Sequence, residues 1–289
     1  MRILESHVDQ EDANELKKSG YIVQTDPEYY TVRLRIPAGI LTANQVENLG
    51  RIAGRYGNGK VHITVRQGIQ IPYVKYDQLK AITKELTDNG TVPGSCGPRV
   101  RNITCCPGAP ECHYANVETY PLAERIDARF FDVRLPTKMK IAVTGCPNSC
   151  AKVQLNDVGI MGVVRPEILG NCTGCSLCVR TCKEAAMQMQ EKKAIVNYAR
   201  CIFCGECIRV CPYDAIKQAK LGYSIYVGGN VGRHPKLAYK LTDFSQEDTI
   251  YRVIENSCKV FEDEGMPSER FGHLIDRIGM GRFTQRVLT

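Results

Sequence analysis

One short cysteine pattern occurs twice in this chain of 289 residues. Cys172, Cys175, Cys178 and Cys182 form the first copy, and Cys201, Cys204, Cys207 and Cys211 form the second; each reads C-x2-C-x2-C-x3-C. The offset from Cys172 to Cys201 is 29 residues, and the echo continues past the cysteines, where Ala186-Met187 answers Ala215-Ile216. A repeated half of this kind packs against its twin. Four thiolates at this spacing suit an iron–sulfur cube, and in two-cluster proteins the fourth cysteine of each run ligates the other cluster. This assigns Cys172, Cys175, Cys178 and Cys211 to one cube, and Cys201, Cys204, Cys207 and Cys182 to the second. Structural zinc sites use separated C-x2-C pairs instead, so the triple run favours iron–sulfur. The pattern implies that electrons pass through the chain.

The remaining cysteines are sparser. Cys106 and Cys112 frame CPGAPEC, and Cys146 and Cys150 frame CPNSC. The glycines and prolines around them suit tight loops that bring two distant pairs to one metal. Zinc and iron–sulfur remain equally open for this set on spacing alone. Cys96, Cys105 and Cys258 are left over and read as small buried apolar residues, with Cys106 preferred over Cys105 as a ligand. Fifteen cysteines without a secretory signal at the N-terminus point to metal rather than disulfides, and to the cytoplasm. No stretch is apolar enough to span a membrane. The length predicts about two domains. A net charge of +7 arises without any clustered Lys/Arg arm, which argues against nucleic acid.

The basic residues instead alternate with apolar ones. In 31–36, Val32, Leu34 and Ile36 share one face while Arg33 and Arg35 share the other. The same reading of 61–66 packs Val61, Ile63 and Val65 inward and turns His62, Thr64 and Arg66 away. In 138–143, Met139, Ile141 and Val143 pack while Lys138 and Lys140 turn outward; Arg99 and Arg101 flank Val100. Val46, Leu49, Ile52, Ala53 and Tyr56 predict a helix capped by Thr42, and Leu79, Ile82 and Leu86 predict another ending near Gly90. Strand–helix–strand–helix order gives an α+β fold. Several basic strand faces suit a polyanionic ligand or an oxyanion. His7, His113, His234 and His273 follow no ligand spacing.

These residues resemble the siroheme-dependent sulfite and nitrite reductases. The C-x5-C and C-x3-C pairs match that family's cluster signature. TVRQGIQIP at 64–72 resembles its arginine-bearing strand, RVRNITCCPG its second arginine segment, and LPTKMKIAVTGCPNSC its lysine strand. GYSIYVGGNVGRHPKL at 222–237 resembles the strand and turn that follow. The resemblance implies a half-repeat of mixed sheets and helices carrying an inserted two-cluster bacterial ferredoxin domain. Its domains would be an N-terminal α+β ferredoxin-like half at 1–90, a siroheme and iron–sulfur catalytic domain at 91–163 and 219–289, and the insert at 164–218.

The same resemblance implies the chemistry, closest to the catalytic subunit of anaerobic, dissimilatory-type sulfite reductase. Sulfite would be reduced by six electrons to sulfide, with siroheme and three [4Fe-4S] clusters as cofactors. Cys106, Cys112, Cys146 and Cys150 would hold the cluster coupled to siroheme, with Cys150 as the bridge. Arg66, Arg101, Lys138 and Lys140 would be catalytic; Arg35 would meet siroheme carboxylates and Asn148 would shape the cysteine loop. Nitrite reduction is the alternative on the same scaffold, and an electron-transfer subunit lacking siroheme is the alternative of another class. No G-x-G-x-x-G follows a strand, so electrons would come from a ferredoxin or a partner reductase subunit. A single-copy chain would complete its site by pairing with itself or with a homologous subunit.

Overall fold

The computed structural model describes residues 10–94 and 96–289; His7 and the N-terminal segment read above for a secretory signal lie outside the described residues. The elements run α1 (Gln10–Lys18), β1 (Tyr21–Val23), β2 (Tyr29–Arg35), α2 (Ala43–Tyr56), β3 (His62–Ile63), β4 (Ile69–Lys75), α3 (Leu79–Asp88), β5 (Val92–Pro93), β6 (Thr104–Cys105), α4 (Tyr120–Phe130) and β7 (Ile141–Thr144). They continue as β8 (Val158–Ile168), α5 (Leu177–Thr181), β9 (Met187–Gln190), β10 (Lys193–Val196), α6 (Glu206–Arg209), β11 (Ile216–Val227), β12 (Tyr239–Ser245), α7 (Glu247–Glu264), α8 (Phe271–Ile278) and α9 (Met280–Leu288). The chain divides into two compact units. One comprises the chain through Thr104 with Ala123–Ile141 and Cys258–Arg277; the other comprises Cys105–Leu122, Ala142–Ser257 and Ile278–Thr289. No described helix is long and apolar enough to cross a membrane.

In the first unit the sheet order is β1-β2-β4-β3, with β5 paired to β2. The period-two pattern of β2 holds: Tyr30, Val32, Leu34 and Ile36 are buried beside Leu49 and Ile52 of α2 and Ile82 and Leu86 of α3. Thr42 caps α2 with a full capping box, its hydroxyl accepting from the Gln45 amide and the Gln45 side chain accepting from the Thr42 amide. The expected packing of 61–66 fails. Only His62–Ile63 is strand, and Val61, Ile63 and Val65 are 38%, 75% and 105% exposed. The cause is a tight turn: Thr64 N–H donates to Gly68 O at 2.8 Å, the Gly68 amide donates to Thr64 Oγ1 at 3.1 Å, and Gln67 takes a φ of +56°. The buried strand of this hairpin is β4, and β3 is its open edge. Arg66 therefore sits on a turn rather than on a strand face.

In the second unit the sheet order is β12-β11-β8-β7-β6. Its spine is the antiparallel pair β8–β11, paired from Val158↔Val227 to Ile168↔Ile216 with one register shift between Gln218 and Lys220. The chain between Ile168 and Ile216 leaves and returns on adjacent strands, and Leu169 N–H donates to Ala215 O at 2.8 Å. That excursion holds α5, the β9–β10 hairpin and α6 around a small core that includes Cys178, Met187, Ala194, Cys207 and Ile216.

Arg35 and Asp127, both in the first unit, form an ion pair in which the carboxylate side chain is only 1% exposed. Nε and Nη2 of Arg35 donate to Asp127 Oδ2, at 2.6 Å for Nε, and the guanidinium lies 4.1 Å from the Phe131 ring centroid. Burial raises the Asp127 carboxyl above its ordinary range, and the charge and hydrogen bonds of Arg35 oppose that rise. Removing one partner of such a pair strands the other. Arg35→Met is expected to cost on the order of 3 kcal/mol in denaturant unfolding at neutral pH, and Asp127→Asn in that background to recover part of it. A carboxyl whose folded pKa is raised gains proton affinity on folding, so the Arg35→Met deficit should shrink as pH falls and Asp127 becomes neutral.

Candidate functional site

The twelve cysteines of the three sequence patterns all stand in the second unit, most of them on loops, with Cys178 in α5 and Cys207 in α6. Cys106 follows β6 and Cys146 follows β7, and these two strands are neighbours in the sheet. Gly145 N–H donates to Cys106 Sγ at 3.1 Å and Thr144 Oγ1 donates at 3.4 Å. Cys105, one residue earlier, is buried at 2% exposure. Burial pushes the Cys146 thiol up; the Asn148 amide opposes this, and the neighbouring Cys106, Cys112 and Cys150 sulfurs add to it. Gly145 N–H on Cys106 Sγ places Cys146, the next residue in the chain, close to Cys106, so a cysteine of each pair meets there. Asn148 thus acts through its backbone amide. Cys150 is exposed, unlike the buried Cys146.

In the repeat region the fourth cysteine of each run lines the cavity of the other run. Cys172, Cys175, Cys178 and Cys211 line one small cavity of about 20 Å³. The amides of Ala194 and Gly174 hold the Cys172 thiol below its ordinary range. Cys182, Cys201, Cys204 and Cys207 line a larger cavity of about 440 Å³, to which Cys146, Pro147 and Asn148 also contribute. Burial pushes the Cys207 thiol up to about 12, and Cys204, Cys201 and Cys178 add to the rise. Four thiols around one cavity, with Cys207 buried, resist ionising together; a bound cationic cluster removes that penalty by taking them as thiolates. The donor chemistry therefore fits iron–sulfur groups. Among the described residues no cysteine is held in a disulfide.

A basic cavity of about 260 Å³ lies in the first unit, lined in part by Arg33, Arg66, Arg101, Asn102, Lys138 and Lys140. The structure thus brings Arg66, Arg101, Lys138 and Lys140 together. Arg66 Nη2 donates to the carbonyls of Asn102 at 2.9 Å and Ile141 at 3.2 Å. Asn102, only 4% exposed, accepts from Ile36 N–H at 3.0 Å and donates to Ile36 O and Arg66 O, tying the Arg66 turn to the end of β2. Burial lowers the Arg101 pKa; Cys96 opposes the shift, while the positive charges of Arg33, Arg99 and Arg270 reinforce it. Such a cavity favours an anion.

Arg35 is outside this lining, since its guanidinium is taken by Asp127 and Phe131. Arg33, two residues earlier on the same face, lines the cavity instead and donates to Cys96 Sγ at 3.2 Å. Alternation alone makes the two arginines equivalent, and only the position of Asp127 distinguishes them. His62 pairs with Gln70 at 3.0 Å, away from the cavity lining. Arg33 and Asn102 are the residues that sequence reasoning missed. The Arg101-Asn102 dipeptide beside the cysteines was the available signal for the second.

Comparison with known proteins gives the family. Residues 96–289 match the model of the nitrite and sulphite reductase 4Fe-4S domain, and residues 22–89 match the nitrite/sulfite reductase ferredoxin-like half domain. The chain belongs to the nitrite and sulfite reductase family. It is 32% identical to one of the subunits of the anaerobic sulfite reductase of Salmonella typhimurium, over 89% of this chain and 82% of that one. It is 34% identical to coenzyme F420-dependent sulfite reductase of Methanocaldococcus jannaschii, again over 89% of this chain, but it spans only 42% of that protein's length. Dissimilatory sulfite reductase I shares the fold, with a TM-score of 0.76 and 24% identity over 90% of this chain and 69% of that one. The region matched to the 4Fe-4S domain includes Cys106, Cys112, Cys146 and Cys150.

The two adjacent cysteines give a direct check. Cys106→Ser is expected to remove about four irons per reconstituted chain, and Cys105→Ser to remove none. Iron analysis of the two variants side by side tests the assignment.

Proposed function

We propose that this chain is the catalytic part of a siroheme-dependent sulfite reductase that reduces sulfite to sulfide with six electrons. The observation that carries this reading is the basic cavity of Arg66, Arg101, Lys138 and Lys140 in a chain that also gathers three cysteine quartets. Cys106, Cys112, Cys146 and Cys150 would hold the catalytic [4Fe-4S] cluster, and the sulfur of the exposed Cys150 would also hold the siroheme iron. The 164–218 segment would be the two-cluster ferredoxin insert. Bound siroheme would supply the electron conduit and Lewis acid for the sulfur atom.

The chain's own residues do the rest. The guanidinium groups of Arg66 and Arg101 and the ammonium groups of Lys138 and Lys140 hold the substrate oxygens and stabilise the charge that develops on them. Each carries protons on nitrogen, and each S–O bond lost as water needs two. The Asn102 and Ile141 carbonyls fix the Arg66 Nη2 group, so its position is set before substrate arrives. Electrons would enter through the insert from a ferredoxin or partner subunit. Fifteen cysteines outside disulfides fit the cytoplasm. The proposed assembly pairs this chain with a second copy of itself or with a homologous chain.

Three clusters and one siroheme predict about thirteen irons per chain, with a siroheme Soret and red band in the visible spectrum. About eight irons without extractable siroheme would indicate an electron-transfer subunit. Steady-state turnover of sulfite and nitrite with product analysis decides the substrate. Lys140→Ala is expected to lower sulfide production on the order of 10²–10³-fold at unchanged cofactor occupancy. Loss of siroheme with normal turnover in the retained fraction would reassign Lys140 to cofactor binding.

A further inference from the structure

The two copies of the cysteine repeat are near twins in sequence but not in placement. The second copy is seated on the sheet. Val164 N–H donates to Phe203 O at 2.9 Å, and the Phe203 ring meets Phe244 edge to face at 4.8 Å between centroids. Gly205 opens α6 with a φ of +76°, and its counterpart Ser176 opens α5 at +61°. The left-handed backbone therefore does not by itself demand glycine here. Space does: a Cβ on Gly205 would stand 2.5 Å from Val164 Cγ1 and 3.0 Å from Asn116 Oδ1.

Arg209 and Arg180 are likewise repeat counterparts, each two residues after the third cysteine of its run. Arg209 reaches across. Its Nη2 donates to Cys204 O at 2.7 Å and its Nη1 to Asn116 Oδ1 at 3.2 Å. A contact to Glu206 at 3.3 Å is local. Asn116 is 93 residues away in sequence and belongs to the segment that carries Cys106 and Cys112. Its Nδ2 donates to Gly162 O at 3.3 Å, and its backbone N–H donates to Gly145 O at 2.7 Å. Gly145 N–H in turn donates to Cys106 Sγ. A continuous polar path thus runs from Cys204 through Arg209, Asn116 and Gly145 to Cys106.

We infer that Arg209 and Asn116 form a latch that positions the Cys182/Cys201/Cys204/Cys207 cluster beside the Cys106/Cys112/Cys146/Cys150 cluster for electron transfer, an assignment that rests on the iron–sulfur reading of both quartets. Arg209 and Asn116 are positioning residues. Bound clusters would pass one electron from the second copy to the Cys106 group, the first oxidised and the second reduced by one, with a ferredoxin-type protein donor supplying the replacement by way of the Cys172 group; Arg209 and Asn116 would hold the Cys204 loop in place for that step. Cys146 and Asn148 share the 440 Å³ cavity with the Cys182/Cys201/Cys204/Cys207 quartet, and no cysteine of the Cys172/Cys175/Cys178/Cys211 quartet lines it. The Cys172/Cys175/Cys178/Cys211 group is thereby the outer one, on the donor side.

The test uses reconstituted full-length protein and four variants: Arg209→Ala, Arg209→Lys, Asn116→Ala and, as the internal control, Arg180→Ala. Amide hydrogen exchange is read over 201–210, and stopped-flow absorbance follows reduction of the catalytic cluster by a protein donor. Arg209→Ala and Asn116→Ala should speed exchange and slow that reduction on the order of 10–100-fold, the range for partners just outside a metal's ligands. Arg209→Lys should recover part of both, and Arg180→Ala should move neither. If Arg209→Ala sheds iron, Asn116→Ala, which alters nothing in the insert, decides alone. Wild-type exchange and reduction rates in Asn116→Ala, or an equal effect from Arg180→Ala, would overturn the latch. Both readouts are independent of siroheme and sulfite, so failure of the latch and failure of the sulfite reductase reading are seen separately.

Discussion

Antiparallel pairing of β8 with β11 holds the second unit together. The register keeps Ile168 opposite Ile216, so the whole cysteine repeat hangs from one strand end and returns one strand away. β8 also follows the loop of Cys146 and Cys150, while β7, its other neighbour in the sheet, ends at that loop. Sulfur groups from three stretches of sequence thus stand on one scaffold without long linkers. A scaffold of paired strands is stiff, and ligand shells need that stiffness because their geometry tolerates little drift.

Crowded thiols set the chemistry of that scaffold. Burial raises the Cys146, Cys178, Cys201 and Cys207 thiols, and neighbouring sulfurs raise each further. Backbone amides of Asn148, Gly174, Ala194 and Phe203 work in the opposite direction. Those amides are the donors that a metal-bound thiolate accepts from, and they tune the cluster it holds. The first unit solves a different electrostatic problem. It concentrates Arg33, Arg66, Arg101, Lys138 and Lys140 around one cavity, and an anion is the natural complement of that charge.

The repeat also illustrates how duplication is broken by packing. Two copies with one cysteine pattern need different neighbours once one of them must face the rest of the protein. The difference is written at single residues, glycine against serine at 205 and 176, and an arginine that finds Asn116 against one that does not lie along that path.

Much of this was legible in the sequence. The cysteine spacing led to the expectation that Cys182 and Cys211 exchange between the runs, and each lines the cavity of the opposite run. The alternation of β2 and the spacing of α2 and α3 determined their buried faces, because helix and strand periods are fixed by the backbone. The hairpin at 61–68 escaped that reading, since apolar alternation cannot tell a buried strand from the open edge of a turn. Arg35 and Arg33 could not be told apart for a similar reason: both sit on one face, and only the tertiary placement of Asp127 and Phe131 decides which guanidinium is spent on packing. The sequence determined which residue types can bind iron and anions; the tertiary structure decided which of them meet, because contacts between residues far apart in the chain are set by sheet order and packing rather than by local pattern.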